Sequence, residues 1–162
     1  MRTKLTLFVA VLATALFGVG CASTKPDFTI VGVDHELALP LMSDGKGNLP
    51  WTNRDYRFID IPEELTGYKY YQYEARSGKG VTLNIQKKTK VTILVGADTA
   101  APRDLEAITK WENEGWEKID SKLLYGPEPR TPKMQILQKS VDAGKLRIND
   151  YSEFGGIIVL TK

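Results

Sequence analysis

His35 stands in Val33-Asp-His-Glu36, where an imidazole between carboxylates could serve as a general base or a metal ligand. It is the one His of a 162-residue chain that also has one Cys, Cys21. A zinc site takes about four N/S ligands, or three and a water, so no metal and no other cofactor is expected. Glu63-Glu64 and the pair Asp104/Glu106 are carboxylates of the kind glycosidases use, but those act across a cleft at roughly 5 to 10 Å. Neighbouring carboxylates on a turn or at a helix start suit solubility and the helix dipole instead. Asp44-Gly-Lys-Gly-Asn48 has the composition of a calcium loop, yet Lys46 puts a positive charge where the ion would sit and no Glu closes the loop. There is no GxSxG, HExxH, Walker or GxGxxG motif. The chain reads as non-catalytic.

Aromatic residues are the remaining chemical resource. Sugar rings lay apolar C–H faces on Trp and Tyr while their hydroxyls bond to amides, carboxylates and guanidinium groups. Trp51, Tyr70, Tyr71 and Trp116 are candidates, with Asn53 and Arg54 beside Trp51 as the polar complement. Core packing competes for the same rings, since each buries about 150 to 250 Å². Trp111 recurs at helical spacing with Leu105 and Ile108 and is assigned to the core. Trp51 follows a Gly-rich loop and Pro50, a usual place for exposed recognition residues.

The start of the chain carries the strongest local signal. Arg2 and Lys4 precede an uncharged, largely apolar run from Leu5 to Gly20, which ends at Cys21. That is the layout of a secretory signal, and the run is short for a membrane span of about 20 apolar residues. Gly18-Val19-Gly20-Cys21 resembles a bacterial lipobox, with Gly18 where an aliphatic residue is usual. The resemblance implies that Cys21 is lipidated and becomes the mature N-terminus; cleavage near Ala22 without lipid is the alternative. The expected organisation is a signal peptide over 1–20, a lipidated tether over 21–26 and one domain over 27–162. Anchoring by two or three acyl chains, at about 0.8 kcal/mol per buried methylene, would be effectively permanent.

Charge sharpens this picture. The chain has 22 Lys plus Arg against 20 Asp plus Glu, and Arg2 and Lys4 account for the difference, so residues 21–162 are formally neutral. A nucleic-acid partner is not expected, and long-range electrostatic steering should be weak. The charged fraction of 26% beside 42% hydrophobic residues does not describe disorder.

The elements that must position these residues are mostly strands. Val81-Thr-Leu-Asn-Ile-Gln86 alternates cleanly, Lys87-Lys-Thr-Lys90 turns the chain, and Val91-Thr-Ile-Leu-Val95 returns, which predicts a hairpin. Phe28–Val33, Glu36–Leu41, Asp55–Ile61 and Tyr68–Ala75 are further extended candidates, with Trp116–Asp120, Met134–Val141, Leu146–Ile148 and Gly156–Leu160 after them. One helix is expected over 102–114: Pro102 suits its first turn, Asp104 and Glu106 its positive end, and Gly115 its stop. Strands at intervals of eight to twelve residues predict a mainly β chain, an antiparallel sandwich or jelly roll with this one short helix.

Ile61-Pro-Glu-Glu-Leu-Thr-Gly67, Val91-Thr-Ile-Leu-Val-Gly-Ala-Asp98 with Pro102 and Leu105, and Ala143-Gly-Lys-Leu-Arg-Ile-Asn149 resemble motifs of the β-sandwich accessory modules of secreted bacterial polysaccharide lyases and glycoside hydrolases. The resemblance runs from about Phe58 to Lys162. Thr99 and Asp104 stand where that family has Arg and Trp. Taken with the lipobox-like Cys21 and the lack of a catalytic constellation, the expectation is a lipid-anchored envelope protein, in the outer membrane and facing the periplasm or the surface, that binds a polysaccharide without catalysis. The alternative is a structural or assembly lipoprotein that docks an envelope protein.

Overall fold

Val81, Leu83 and Ile85 are buried while Thr82 and Asn84 between them are half-exposed, so one face of strand β5 (Val81–Ile85) covers apolar groups and the other meets water. The computed structural model describes residues 27–31, 36–38, 49–72, 74, 78–96, 102–126, 133–152 and 156–162. Around β5 lie β1 (Phe28–Ile30) and β9 (Gly144–Ile148), both antiparallel to it, forming a three-stranded sheet in the order β1-β5-β9. The other strands are β2 (Glu36–Ala38), β3 (Arg57–Asp60), β4 (Lys69–Tyr71), β6 (Thr89–Val95), β7 (Glu117–Gly126), β8 (Lys133–Val141) and β10 (Ile157–Thr161). They form a seven-stranded antiparallel sheet in the order β2-β4-β10-β6-β8-β7-β3. The antiparallel sandwich expected from the strand pattern is the architecture observed.

The expected hairpin over 81–95 is not. β5 pairs with β1 and β9, β6 pairs with β10 and β8, and the turn between β5 and β6 crosses from one sheet to the other. Burial explains the difference. β6 is buried on both faces from Val91 to Val95, so it belongs in the centre of the large sheet, whereas β5 has one wet face and suits the thin outer sheet.

Two cores result. Between the sheets lie Phe28, Leu83, Ile85, Val91, Ile93, Leu137, Ile148 and Val159, with Trp111 of the helix. On the far face of the large sheet lie Trp51, Phe58, Leu65, Tyr70, Leu94, Leu123, Met134, Ile136 and Ile158. That second core is enclosed because the large sheet curls over it. Phe58 in the edge strand β3 meets Tyr70 in β4, near the opposite edge, with ring centroids 5.2 Å apart and planes at 86°. Bulges supply the bend, one where β7 shifts register against β8 between Ile119 and Lys122 and another where β3 shifts against β7 between Phe58 and Asp60.

Helix α1 (Pro102–Asn113) buries Ala107, Ile108 and Trp111. Leu105, expected on that face, is 52% exposed. At 100° per residue it lies about 110° from the centre of the buried stripe, which Ala107 completes instead. The stop is as the sequence implies. Gly115 has φ +86°, its N–H donates to Glu112 O at 2.9 Å, and the Trp116 N–H donates to Trp111 O at 3.1 Å. These are the two bonds of a Schellman motif, with Trp111 and Trp116 supplying the apolar contact across it.

Candidate functional site

The aromatic residues singled out in the sequence are inside. Trp51, Tyr70 and Trp116 are exposed by 1%, 0% and 3%, and Tyr71 by 8%. Their faces are covered by protein, so the expected stacking platform of Trp51, Tyr70, Tyr71 and Trp116 is corrected to core packing. The physical cause is the double-sided large sheet, which needs bulky residues on both faces. Tyr70 and Tyr71 point to opposite cores. Leu49 O accepts hydrogen bonds from Tyr70 Oη and from Gln72 Nε2, each 2.9 Å long, which pins the start of the Trp51 turn onto β4. Burial pushes the Tyr70 phenol far above its usual range. Asn53 is exposed and Arg54 half-exposed, its Nη1 donating to Asn53 O at 3.0 Å. Cys21, His35 and the loop 44–48 lie outside the described residues.

A cleft of about 240 Å³ opens instead at one end of the sandwich, lined by Asp27, Phe28, Tyr68, Thr89, Lys90, Leu160, Thr161 and Lys162. Strand register builds it. Thr161 of β10 pairs with Lys69 of β4, and Leu160 pairs with Thr92 of β6. The end of β10 is therefore flanked by Tyr68, just before β4, and by Thr89 and Lys90 at the start of β6. The Gln86 N–H donates to Asp27 O at 2.9 Å, bringing the beginning of β1 to the same place. Phe28, of the core between the sheets, and Leu160, of the far-face core, are the buried apolar residues of its lining, and Tyr68 is half-buried, an apolar body with a phenol.

Polar groups surround that ring. Asp27 Oδ2 accepts from Thr89 Oγ1 at 3.0 Å, and Asp27 Oδ1 is 2.7 Å from Lys87 Nζ. Lys87 and then Thr89 hold the Asp27 carboxyl below the usual carboxylate range. A depressed acid stabilises the fold above its unfolded value of 3.8, and that contribution disappears as pH falls through the lower folded value. Asp27→Asn should therefore lower the melting temperature slightly near pH 7, this pair being exposed, and that difference should close as pH falls below 3.8, which flattens the acid limb by the same small amount. An unchanged acid limb would contradict the pairing. Lys162 Nζ stands 4.8 Å from the centroid of Tyr68, over the ring.

The sequence passed over this site. Alternation puts Tyr68 on the face of Tyr70, and both do contact the second core, but Tyr68 lies where the strand begins and its ring reaches the rim. The available signal was Lys87-Lys-Thr-Lys90, three lysines in four residues of a domain that is neutral as a whole. The neutral total conceals this local cluster.

Elsewhere the polar side chains brace the fold. Tyr151 Oη donates to Glu114 Oε1, Asn149 Nδ2 donates to the same oxygen at 3.0 Å, and Trp111 Nε1 donates to Asn149 O at 3.0 Å. This ties the end of α1 to the exit of β9. Glu114 as acceptor raises the Tyr151 phenol above its usual range. The carboxylates weighed as acid/base pairs have local partners: Glu106 lies 2.8 Å from Lys110 Nζ on the same helix, and Glu64 accepts from Ser121. Among the described residues no three His, Cys, Asp or Glu gather as a metal site would require, and no helix is long and apolar enough to cross a membrane.

The chain matches no known protein family and no curated protein sequence. Among solved structures it is similar to a β-glucuronidase from glycoside hydrolase family 2, with a TM-score of 0.56 and 15% identity over 83% of this chain. The matched part is 14% of that enzyme, so the likeness is one of fold, a β-sandwich that makes up a small share of the larger protein.

Proposed function

We infer that this chain is a non-catalytic glycan-binding module, held to the bacterial envelope by a lipid on Cys21, and that the cleft around Tyr68 is its binding site. The observation that carries the reading is the cleft itself. A half-buried aromatic ring, two buried apolar residues, a carboxylate, two hydroxyls and two ammonium groups line one small volume. Saccharide sites combine these elements. Support also comes from the fold, shared with part of a carbohydrate-active enzyme, and from the residues at 61–67 and 143–149 that resemble accessory modules. The lipobox-like Gly18-Val-Gly-Cys21 supports the anchor.

Isothermal titration of the full chain in detergent against a panel of neutral, amino and acidic polysaccharides tests the binding. At least one glycan should give heat, and Tyr68→Ala should weaken it about tenfold or more, the scale of a lost aromatic contact. A panel without heat would refute the reading. Recovery of one stoichiometric protein from solubilised envelope would then favour the assembly-lipoprotein alternative. Mass spectrometry of the mature N-terminus tests the anchor separately; a diacylglyceryl-modified Cys21 is expected, and an unmodified one would refute it.

A further inference from the structure

We propose that the ligand of this cleft is an anionic saccharide, one bearing carboxylate, sulfate or phosphate groups. The inference rests on the cleft being a glycan site and specifies what kind. Six lysines lie at this end of the sandwich: Lys69 at the start of β4, Lys87 and Lys88 in the β5–β6 turn, Lys90 at the start of β6, Lys145 in β9 and Lys162 after β10. Among the described residues at the same strand ends and turns, the carboxylates are Asp27, Asp142, Glu117 at the start of β7, and Glu63 and Glu64 between β3 and β4. Asp27 is occupied by Lys87 at 2.7 Å, and Asp142 by Lys88 at 3.7 Å. On the cleft wall itself the charges are Lys90 and Lys162 against Asp27, which Lys87 already pairs, so the lining carries a local positive excess although residues 21–162 carry no formal net charge.

Two of these ammonium groups line the cleft. Lys90 and Lys162 are both on its wall, and among the described residues neither makes an ion pair. Lys162 stands over the Tyr68 ring. A neutral sugar stacking there displaces that ammonium and offers it only hydroxyl acceptors. A sugar carrying an acidic group keeps the ammonium as its counter-charge while its C–H face meets what remains of the ring and the apolar lining of Phe28 and Leu160. Anionic lipid headgroups are the rival source of negative charge. Six peptide steps separate Cys21 from Asp27, so a lipidated chain would hold the cleft within about 20 Å of the bilayer. The ring and apolar lining favour a saccharide, because a headgroup phosphate alone would use neither.

Affinity electrophoresis and calorimetry of the full chain in neutral detergent would compare polygalacturonate, fully methyl-esterified polygalacturonate, heparin, inorganic polyphosphate and short-chain phosphatidylglycerol micelles. Polygalacturonate or heparin should bind at least about tenfold more tightly than the esterified polymer and the two sugar-free anions. That affinity should fall steeply as salt rises from about 0.1 M to 1 M, where the Debye length shrinks from ~10 Å to ~3 Å. Lys90→Gln with Lys162→Gln should remove most of it with the melting temperature unchanged, both side chains being on the surface. Equal binding of the esterified polymer would overturn the anionic assignment and leave the glycan-binding reading standing. Polyphosphate or phosphatidylglycerol binding as tightly as the acidic glycans would overturn it in favour of a general anion or membrane surface. Retention of acidic-glycan binding by the double variant would place the site elsewhere and overturn it as well.

Discussion

Trp51→Ala should destabilise the domain by about 3–5 kcal/mol, the cost of emptying a large aromatic site in a packed core. For a chain of this length that corresponds to a melting temperature lower by roughly 6–20 °C. Trp51 is 1% exposed and lies in the far-face core with Phe58, Leu123, Met134 and Ile158, its ring edge-on to Tyr56 at 6.1 Å. Removing it opens a void beneath the curled half of the large sheet, where β3 and β4 approach each other. Trp51→Phe keeps most of the volume and should cost less. Both variants, assayed well below their transitions, should bind glycan as the parent does, because the cleft at Tyr68 is built from other residues. Differential scanning calorimetry with parallel titrations would check this. A folded Trp51→Phe protein that had lost binding at an unaltered melting temperature would return Trp51 to the recognition surface.

Gly80→Ala is the second large effect, and its cause is steric. Gly80 precedes β5 where Val81 pairs with Ile148, and a Cβ at Gly80 would lie 2.1 Å from Ile148 O and 3.0 Å from Asn149 Cα. Both atoms are backbone, so the new methyl is accommodated only by prising β5 from β9. Arg147 reinforces the approach, its Nη1 donating to Gly80 O at 2.9 Å and to Thr82 Oγ1 at 3.2 Å. Overpacking of this kind costs about 1–3 kcal/mol, and displacement of a strand pair puts this case at the upper end. Gly67→Ala is the matched comparison, because Gly67 has φ +80° with no atom within 4 Å of the added Cβ. That substitution should cost about 1 kcal/mol of backbone strain alone. Urea unfolding of the two variants would separate the causes, and a Gly80→Ala protein no less stable than Gly67→Ala would contradict the close approach.

The sandwich was legible because its strands alternate, as Val81, Leu83 and Ile85 do, and the helix because Pro102 and Gly115 mark its limits. Sheet membership was not, since β5 and β6 look like a hairpin to any local pattern. What separates them is burial on both faces of β6, by the core between the sheets on one side and the far-face core on the other. The same non-locality hid the fate of the aromatics. Trp51 looks like a loop residue beside Pro50, and only the arrival of Leu123, Met134 and Ile158 closes over it. Tyr68 looks like one more strand residue, and only the end of β10 and the start of β6 make it the wall of a cleft. Lys87, Lys88 and Lys90 were visible as a cluster, but a neutral total gave no reason to expect the other lysines to converge on them.

Backbone amide chemical shifts, followed as the full chain is titrated with an oligosaccharide that gives heat in calorimetry, test most directly whether the cleft is where glycan binds. The expected result is a set of saturable shifts confined to residues 27–28, 68–69, 88–90 and 160–162, with the network at Glu114, Asn149 and Tyr151 undisturbed. Shifts centred on 51–54 or on 149–152, with the residues of the Tyr68 cleft unmoved, would contradict it.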